Sequence, residues 1–264
     1  MSILPVTNKE KLYSLFSRDY SLFGYHIGDL DDFFFNNCKW YGYFEEKILK
    51  EIILLFLQFE TPSLLLFGFS MRISEMVDNL NQLFPKKFFC HYLKDYESSL
   101  KKYFNLKPLG THWKMNLVNQ NIHNDTNRSN IKILTQDNKN MVKNFYDENY
   151  PNNYYDSYML NTEKYVGYFI ENNLVAIAGV HVYSPFYKVA VLGNIVTSKK
   201  FRNKGLAKIT VKNLLAILSQ DVKNISLNVQ STNLPAIKLY QSLGFKKTHE
   251  YEEGYFYRDE LKTT

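Results

Sequence analysis

A layered α+β (mixed α/β) protein built as two lobes is the fold class this sequence predicts, on three observations. Short apolar runs of strand length alternate with segments whose apolar residues recur at helical spacing. A polar, Asn-rich, aperiodic stretch, NLVNQNIHNDTNRSN at 116–130, separates two such series and reads as a linker or long loop. The lobes are therefore placed at residues 1–125 and 126–264. Finally, 45% of residues are apolar, 16% aromatic and 22% charged, which excludes a disordered chain, and 264 residues suit two domains of ordinary size.

In the first lobe, KILKEIILLFLQFE and TPSLLLFGFS read as neighbouring strands broken at Thr61-Pro62. RISEMVDNLNQLFP sets Ile73, Met76, Val77, Leu80 and Leu83 on one helical stripe that stops at Pro85. A strand over 87–93, a helix through 96–103 and a strand near HWKMNLV complete the series.

The second lobe opens with a helix around 136–146 and a Tyr- and Asn-rich loop. KYVGYFIEN and LVAIAGVHVYS follow as strands joined by a hairpin turn at Asn172-Asn173. A third strand, KVAVLGNIVT, leads to a helix over about 205–219 with Leu206, Ile209, Val211, Leu214, Leu215 and Leu218 at helical spacing. Next come a buried strand, NISLNVQ, a Pro-started helix over 234–243 and an aromatic strand pair from Phe245 to Tyr257. The order is strand, strand, strand, helix, strand, helix, strand.

Several function classes fall away on composition. Cys38 and Cys90 are too few for a disulfide framework or a thiolate metal site and read as buried or half-buried free thiols. His91, His112 and His123 lack ligand spacing, so no metal is expected. The first twenty residues hold Lys9, Glu10, Lys11, Arg18 and Asp19, unlike a signal peptide, and the greasiest run, Ile52 to Leu57, is far below the ~20 residues of a membrane span. The expectation is a cytoplasmic protein without membrane contact, in which the sequons at Asn124, Asn127 and Asn224 stay unused.

The net charge of +6 is uneven. Residues 1–125 hold 14 basic and 14 acidic residues, and residues 126–264 hold 18 and 12. No acid stands between Glu171 and Asp221, whereas KKFRNKGLAKITVKN packs Lys199, Lys200, Arg202, Lys204, Lys208 and Lys212 around Gly205. A strand running into that basic turn, followed by a helix, presents free backbone N–H groups to an anion. Gly205 permits close approach and Ala207 keeps the first turn narrow, so a phosphate, most simply a pyrophosphate, fits there. Nucleic acid fits less well, because no exposed aromatics are interleaved for base stacking.

About thirty residues on stands NLPAIKLYQSLGF. Together, Arg202-Asn203-Lys204-Gly205-Leu206-Ala207, matching R/Q-x-x-G-x-G/A, and this second segment, matching N-x-x-A-x-x-L-Y-x-x-x-G-F, resemble the GNAT superfamily of acyl-CoA-dependent N-acetyltransferases over roughly residues 130–258. The resemblance implies a GNAT fold, a mostly antiparallel central sheet flanked by helices, with acetyl-CoA as co-substrate and a primary amine, of a small molecule or a peptide, as acceptor. It implies that Ile195, Val196 and Thr197 bond the pantetheine arm through their backbone, and that amides from Asn203 to Lys208 cradle the pyrophosphate. It implies further that Asn233 meets the pantetheine or the helix start and that the Tyr240 hydroxyl lies near the thioester sulfur. A Tyr phenol, with its usual pKa near ~10, can protonate a departing thiolate and so suits a general acid.

The chain departs from better-known members in lacking a strand Glu as base, having Val189, Ala190 and Val191 instead. His181 on the preceding strand, with an ordinary pKa near ~6.5, is a candidate base, alongside a water path and a purely structural role. The missing acid also leaves open a CoA-binding module without turnover. GDLDDFFF at 28–35 and PLGTHWKMNL at 108–117 resemble two-lobed GNAT-like proteins whose first lobe is a degenerate copy of the fold. This lobe has no R-x-x-G-x-G/A turn, which implies that it binds no CoA. Asp29, Asp31 and Asp32 serve either as acceptor carboxylates or in caps and turns. Trp40, Tyr41 and Tyr43 line a groove or fill the core. His249 with Glu250, Glu252 and Glu253 reads as a solvated turn or a patch attracting a cation.

Overall fold

The computed structural model describes residues 2–118, 128–151 and 153–258. His123 and the sequons at Asn124 and Asn127 lie outside the described residues, as does most of the 116–130 segment.

The chain divides into two compact units. Unit 1 comprises residues 1–114, 230–232 and 247–264, and unit 2 comprises residues 115–229 and 233–246. Unit 1 contains β1 (Ser2–Pro5), α1 (Lys9–Phe16), α2 (Gly24–Gly28), α3 (Asp32–Phe35), β2 (Cys38–Glu45), β3 (Ile48–Phe56), β4 (Ser63–Leu66), α4 (Arg72–Leu80), β5 (Lys87–Tyr92) and α5 (Glu97–Lys101). To these it adds residues 105–114 of β6 (Asn105–Leu117) and residues 247–257 of the last strand, Phe245–Tyr257. β1 to β4 pair antiparallel in succession, β4 pairs β5 parallel, and β5 pairs the last strand antiparallel.

The β2–β3 connection is a two-residue hairpin with Glu46 at φ 49 and Lys47 at φ 66, the left-handed pair a type I′ turn requires. The α4 stripe buries Ile73, Met76, Val77 and Leu80 against a core that includes Tyr43, Ile53, Leu55, Leu64, Phe88 and Phe256. Leu83 falls after the helix and is exposed. Trp40 and Tyr43 are buried and Tyr41 packs against the same core, so these aromatics are filling. Cys38 and Cys90 are free thiols, half-buried and buried.

Unit 2 holds β7 (Ile131–Ile133), α6 (Lys139–Asn149), β8 (Val166–Ile170), β9 (Asn173–Ser184), β10 (Val189–Thr197), α7 (Leu206–Leu218), β11 (Asn224–Gln230) and α8 (Leu234–Ser242). β7, β8, β9 and β10 pair antiparallel in succession, and β10 pairs β11 parallel with α7 as the crossover. The β8–β9 turn sits one residue earlier than the sequence suggests. Glu171 and Asn172, at φ 48 and 64, take its two left-handed positions, and Asn173 already belongs to β9. The expected terminal strand pair is instead one continuous 13-residue strand, β12 (Phe245–Tyr257). The Glu-rich middle of that segment reads as a turn in the sequence, yet it contains no break and its side chains find partners on neighbouring elements. Among the described residues no helix is long and apolar enough to cross a membrane.

Candidate acyl-CoA site

Two irregularities in the β9–β10 ladder shape the site. β9 carries one extra residue at His181, since Val191 faces Val182 while Leu192 faces Val180. β10 then bulges at 194–195, with Gly193 facing Gly179 and Val196 facing Ile177. Asn194 sits in the bulge at φ 53. Parallel pairing with β11 is recorded from Val189 opposite Asn224 to Leu192 opposite Leu227, so it ends where the bulge begins. The half-buried stretch Ile195, Val196 and Thr197 thus continues beyond the parallel ladder.

Buried hydroxyls pin the bulge. Tyr146 Oη donates to the Asn194 carbonyl at 2.6 Å, and Asn194 Nδ2 donates to Tyr165 Oη at 3.0 Å. Tyr165 Oη in turn donates to the Val180 carbonyl at 2.9 Å. The Tyr165 ring fills the space a Cβ at Gly179 would need, and the His181 ring does the same at Gly193. Burial holds the Tyr146 and Tyr165 phenols far above their ordinary pKa, so both stay protonated. Sequence reasoning did not find Asn194, Tyr146 or Tyr165. The Gly193-Asn194 pair inside an apolar strand was the available signal for a bulge.

After β10 the chain makes a short 3-10 turn over Lys199–Phe201, with Ser198 N–H bonded to the Val175 carbonyl at 2.9 Å. Arg202 Nε donates back to the Thr197 carbonyl at 3.3 Å, fastening the loop to the strand end. Asn203 and Gly205 adopt left-handed conformations, φ 62 and 75, and Gly205 caps α7. The first backbone bond of α7 runs from Ile209 N–H to the Gly205 carbonyl, which leaves the preceding amides directed out of the helix head. A Cβ at Gly205 would meet nothing within 4 Å, so the space above the turn is open. Leu206 anchors the turn against Val175 and Ala176, while Ala207 is half-buried and Lys204 lies over the Phe201 ring, 5.1 Å from its centroid. Among the described residues, Lys199, Lys200, Arg202, Lys204, Lys208 and Lys212 form no ion pair with a carboxylate.

α8 starts as the sequence implies. Asn233 Oδ1 accepts from Ala236 N–H at 3.3 Å, with Pro235 in the first turn. Tyr240 is buried on this helix, edge-on to Phe245 with ring centroids 6.1 Å apart. Burial pushes its phenol well above the ordinary value, with a further push from Tyr150. His181 is half-buried in the β9 bulge.

Three other expectations have outcomes in unit 1. Asp31 precedes α3 without a side-chain capping bond, and Asp32 pairs with Lys9 at 2.6 Å. Asp29 is buried after α2, where desolvation, with Asp31 adding repulsion, raises its carboxyl to about 8. The reading of residues 249–253 as a solvated turn does not hold. Glu252 accepts from Thr111 Oγ1 at 2.8 Å, His249 Nε2 lies 3.1 Å from Asp19, and Glu253 is mostly buried. Nor are the histidines all scattered: His91 Nδ1 and His112 Nε2 lie 3.3 and 3.4 Å from the Glu253 carboxylate, which also accepts from Tyr251 Oη at 2.7 Å. Desolvation raises the Glu253 pKa, but the two histidines and the Tyr251 hydroxyl prevail and bring it to about 2. Among the described residues no His, Cys, Asp and Glu grouping fits a metal ion.

The bulged strand, open helix head and crossover helix all fall within the stretch that a family model matches. Residues 130–245 match the model of the Acetyltransferase (GNAT) family, and the chain carries a GNAT domain together with a second, N-terminal GNAT-like lobe. No curated protein matches the sequence. A Drosophila protein of known structure is similar over 96% of this chain and 97% of its own, at 14% identity and a TM-score of 0.73. A GNAT-family acetyltransferase from Colwellia psychrerythraea covers 98% and 100% at 14% identity and a TM-score of 0.57. A tandem GNAT protein from the clavulanic acid biosynthesis pathway covers 97% and 98% at 9% identity and the same TM-score. The family generally uses acetyl-CoA and an amine acceptor.

Proposed function

We propose that this protein transfers an acetyl or short acyl group from acyl-CoA to a primary amine by direct attack. The observation that carries the reading is the open head of α7, with outward amides, the left-handed Gly205 and unpaired cations, directly following a strand freed from its parallel neighbour by a bulge. The amides from Asn203 to Lys208 would hold the pyrophosphate, with Arg202, Lys204 and Lys208 adding charge. The backbone of Ile195, Val196 and Thr197 would bond the pantetheine amides in the manner of an added strand. Asn233 would keep the head of α8 in place beside it.

The bound coenzyme supplies an activated acyl carbon on a thiol leaving group. The acceptor nitrogen forms a bond to that carbon, the carbon–sulfur bond breaks, and the nitrogen loses its proton to His181 or to water. Tyr240 stays protonated because burial raises its pKa, so it donates a hydrogen bond that strengthens as charge gathers on sulfur, then passes the proton to the thiolate. Neither cysteine takes part. The amine and the cytoplasmic setting belong to the same proposal.

The test measures acetyl-CoA binding and free thiol release against a panel of amines. Tyr240→Phe should lower kcat by about 100-fold or more while the Kd for acetyl-CoA stays within about threefold. Coenzyme affinity no tighter than millimolar would end the reading. Tight binding with no turnover on any amine would favour a CoA-binding module without catalysis.

A further inference from the structure

The parallel pair β4/β5 with α4 between its strands is the unit 1 counterpart of β10/β11 with α7. At the head of α4 the chain uses its own anion. The buried Glu51 carboxylate on β3 accepts from Phe69 N–H at 3.0 Å and from Ser70 Oγ at 2.6 Å. Ser70 Oγ also accepts from the Arg72 backbone N–H at 3.3 Å and from its guanidinium at 3.4 Å.

Above that carboxylate lies a pocket of about 240 Å³, lined by Arg18, Lys50, Glu51, Phe69, Ser70 and Arg72. Arg72 is neutralised by Glu45, which lies 2.7 Å from the guanidinium. Among the described residues neither Arg18 nor Lys50 is in ion-pair contact with a carboxylate. Against them stands Glu51 alone, so the lining keeps one positive charge in excess. The pocket is smaller than the ~300–1,000 Å³ of drug-sized ligand sites and suits a small head group.

We infer that unit 1 carries a second anion site, a pocket at the head of α4 in which Arg18 and Lys50 hold a small oxyanion, a phosphate or carboxylate group, beside the Glu51 carboxylate. Two free cations in a concave site attract such a group, and the planar Arg18 fork suits two oxygens. Glu51 sets the limit. Its burial raises its pKa, while Ser70, the Phe69 amide, Arg72 and Arg18 pull it back, so the floor retains repulsion that a mono- or dianion must overcome.

The site is separated from the head of α7 by working in a Lys200→Gln/Arg202→Gln/Lys204→Gln background. Inorganic phosphate and acetate, each titrated calorimetrically at constant ionic strength, are the probes, and the one that saturates names the head group. One saturable site should remain in that background. Adding Arg18→Gln/Lys50→Gln should weaken it at least about tenfold, and Glu51→Gln, which keeps an acceptor for Ser70 or Phe69, should tighten it severalfold. The proposal falls if neither probe saturates, if Glu51→Gln has no effect, or if a Lys86→Gln/Lys107→Gln control weakens binding as much as the pocket pair.

Discussion

The two units handle charge in opposite ways. Among the described residues, every buried Asp, Glu, Lys, Arg or His, namely His26, Asp29, Glu51 and Lys114, belongs to unit 1. The buried polar residues of unit 2 are neutral: Asn149, Ser184, Asn194, Thr210, Asn213 and Ser226. Unit 2 instead displays its cations around an open helix head. The same contrast appears at the paired crossovers, where α4 begins beside an internal carboxylate and α7 begins at a bare left-handed glycine. A helix head can be satisfied from inside or left for a ligand, and the charge around it follows that choice.

The largest way to break this contrast is Gly205→Val. The new Cβ meets no protein atom within 4 Å, but the side chain strains a left-handed position and enters the space a phosphate would need. Acetyl-CoA affinity should fall about 100-fold, or about 3 kcal/mol by the usual conversion, and titration of the variant checks it. An unchanged Kd would mean that the open head is not the coenzyme site. In unit 1 the matching change is Glu51→Ala, which leaves the Phe69 amide and the Ser70 hydroxyl without their acceptor. Denaturant melts should show a loss of about 2 kcal/mol.

Much of unit 2 was legible because its signals are local. Gly205 stops a strand-to-helix turn, Asn233 and Pro235 announce α8, and α7 repeats its apolar residues at helical spacing. The bulge was harder, since Asn194 is held by Tyr146 and Tyr165, 48 and 29 residues away. In unit 1 the decisive partners are further apart still. His91, His112 and Glu253 converge only because β5, β6 and β12 become neighbours, which spacing along the chain does not encode. The β2–β3 turn hides for another reason: Glu46-Lys47 occupies positions where Asn-Gly is the usual signal. The sequence of β12 reads as two strands because its Glu-rich middle looks solvated, whereas those carboxylates lie against Thr111, Trp113, His91 and His112.

The contrast also predicts that the pH dependence of stability arises in unit 1. Lys114 lies 4.2 Å from the Phe67 ring centroid and 5.0 Å from that of Tyr251, and desolvation lowers its pKa to about 7 despite the pull of Glu253 and Asp19. Unfolded, it would titrate near ~10.4. Between those values the unfolded chain binds a proton that the folded chain does not, so stability rises with pH by about 1 kcal/mol per unit across pH 8–10. Lys114→Met should flatten that rise. Asp29 has the opposite sign: its folded pKa of about 8 exceeds the unfolded ~3.9, so its contribution is full below that value and is lost as pH rises to about 8. Asp29→Asn should remove the decline, and melts from pH 5 to 10 resolve both slopes.

The smallest expected effect is an absence of one. Lys200→Gln/Arg202→Gln/Lys204→Gln removes three exposed cations that no carboxylate in the described structure holds. If their charge serves a ligand and not the fold, unfolding free energy should change by no more than about 1 kcal/mol, the worth of the exposed Arg202 bond to the Thr197 carbonyl and the Lys204–Phe201 contact that are lost. Coenzyme affinity should fall in the same variant, and the fall should shrink as salt is added, because exposed charges are screened beyond about 10 Å at 0.1 M. A stability loss comparable to that of Glu51→Ala would show that unit 2 also relies on charge for its own folding, and the contrast between the two helix heads would be lost.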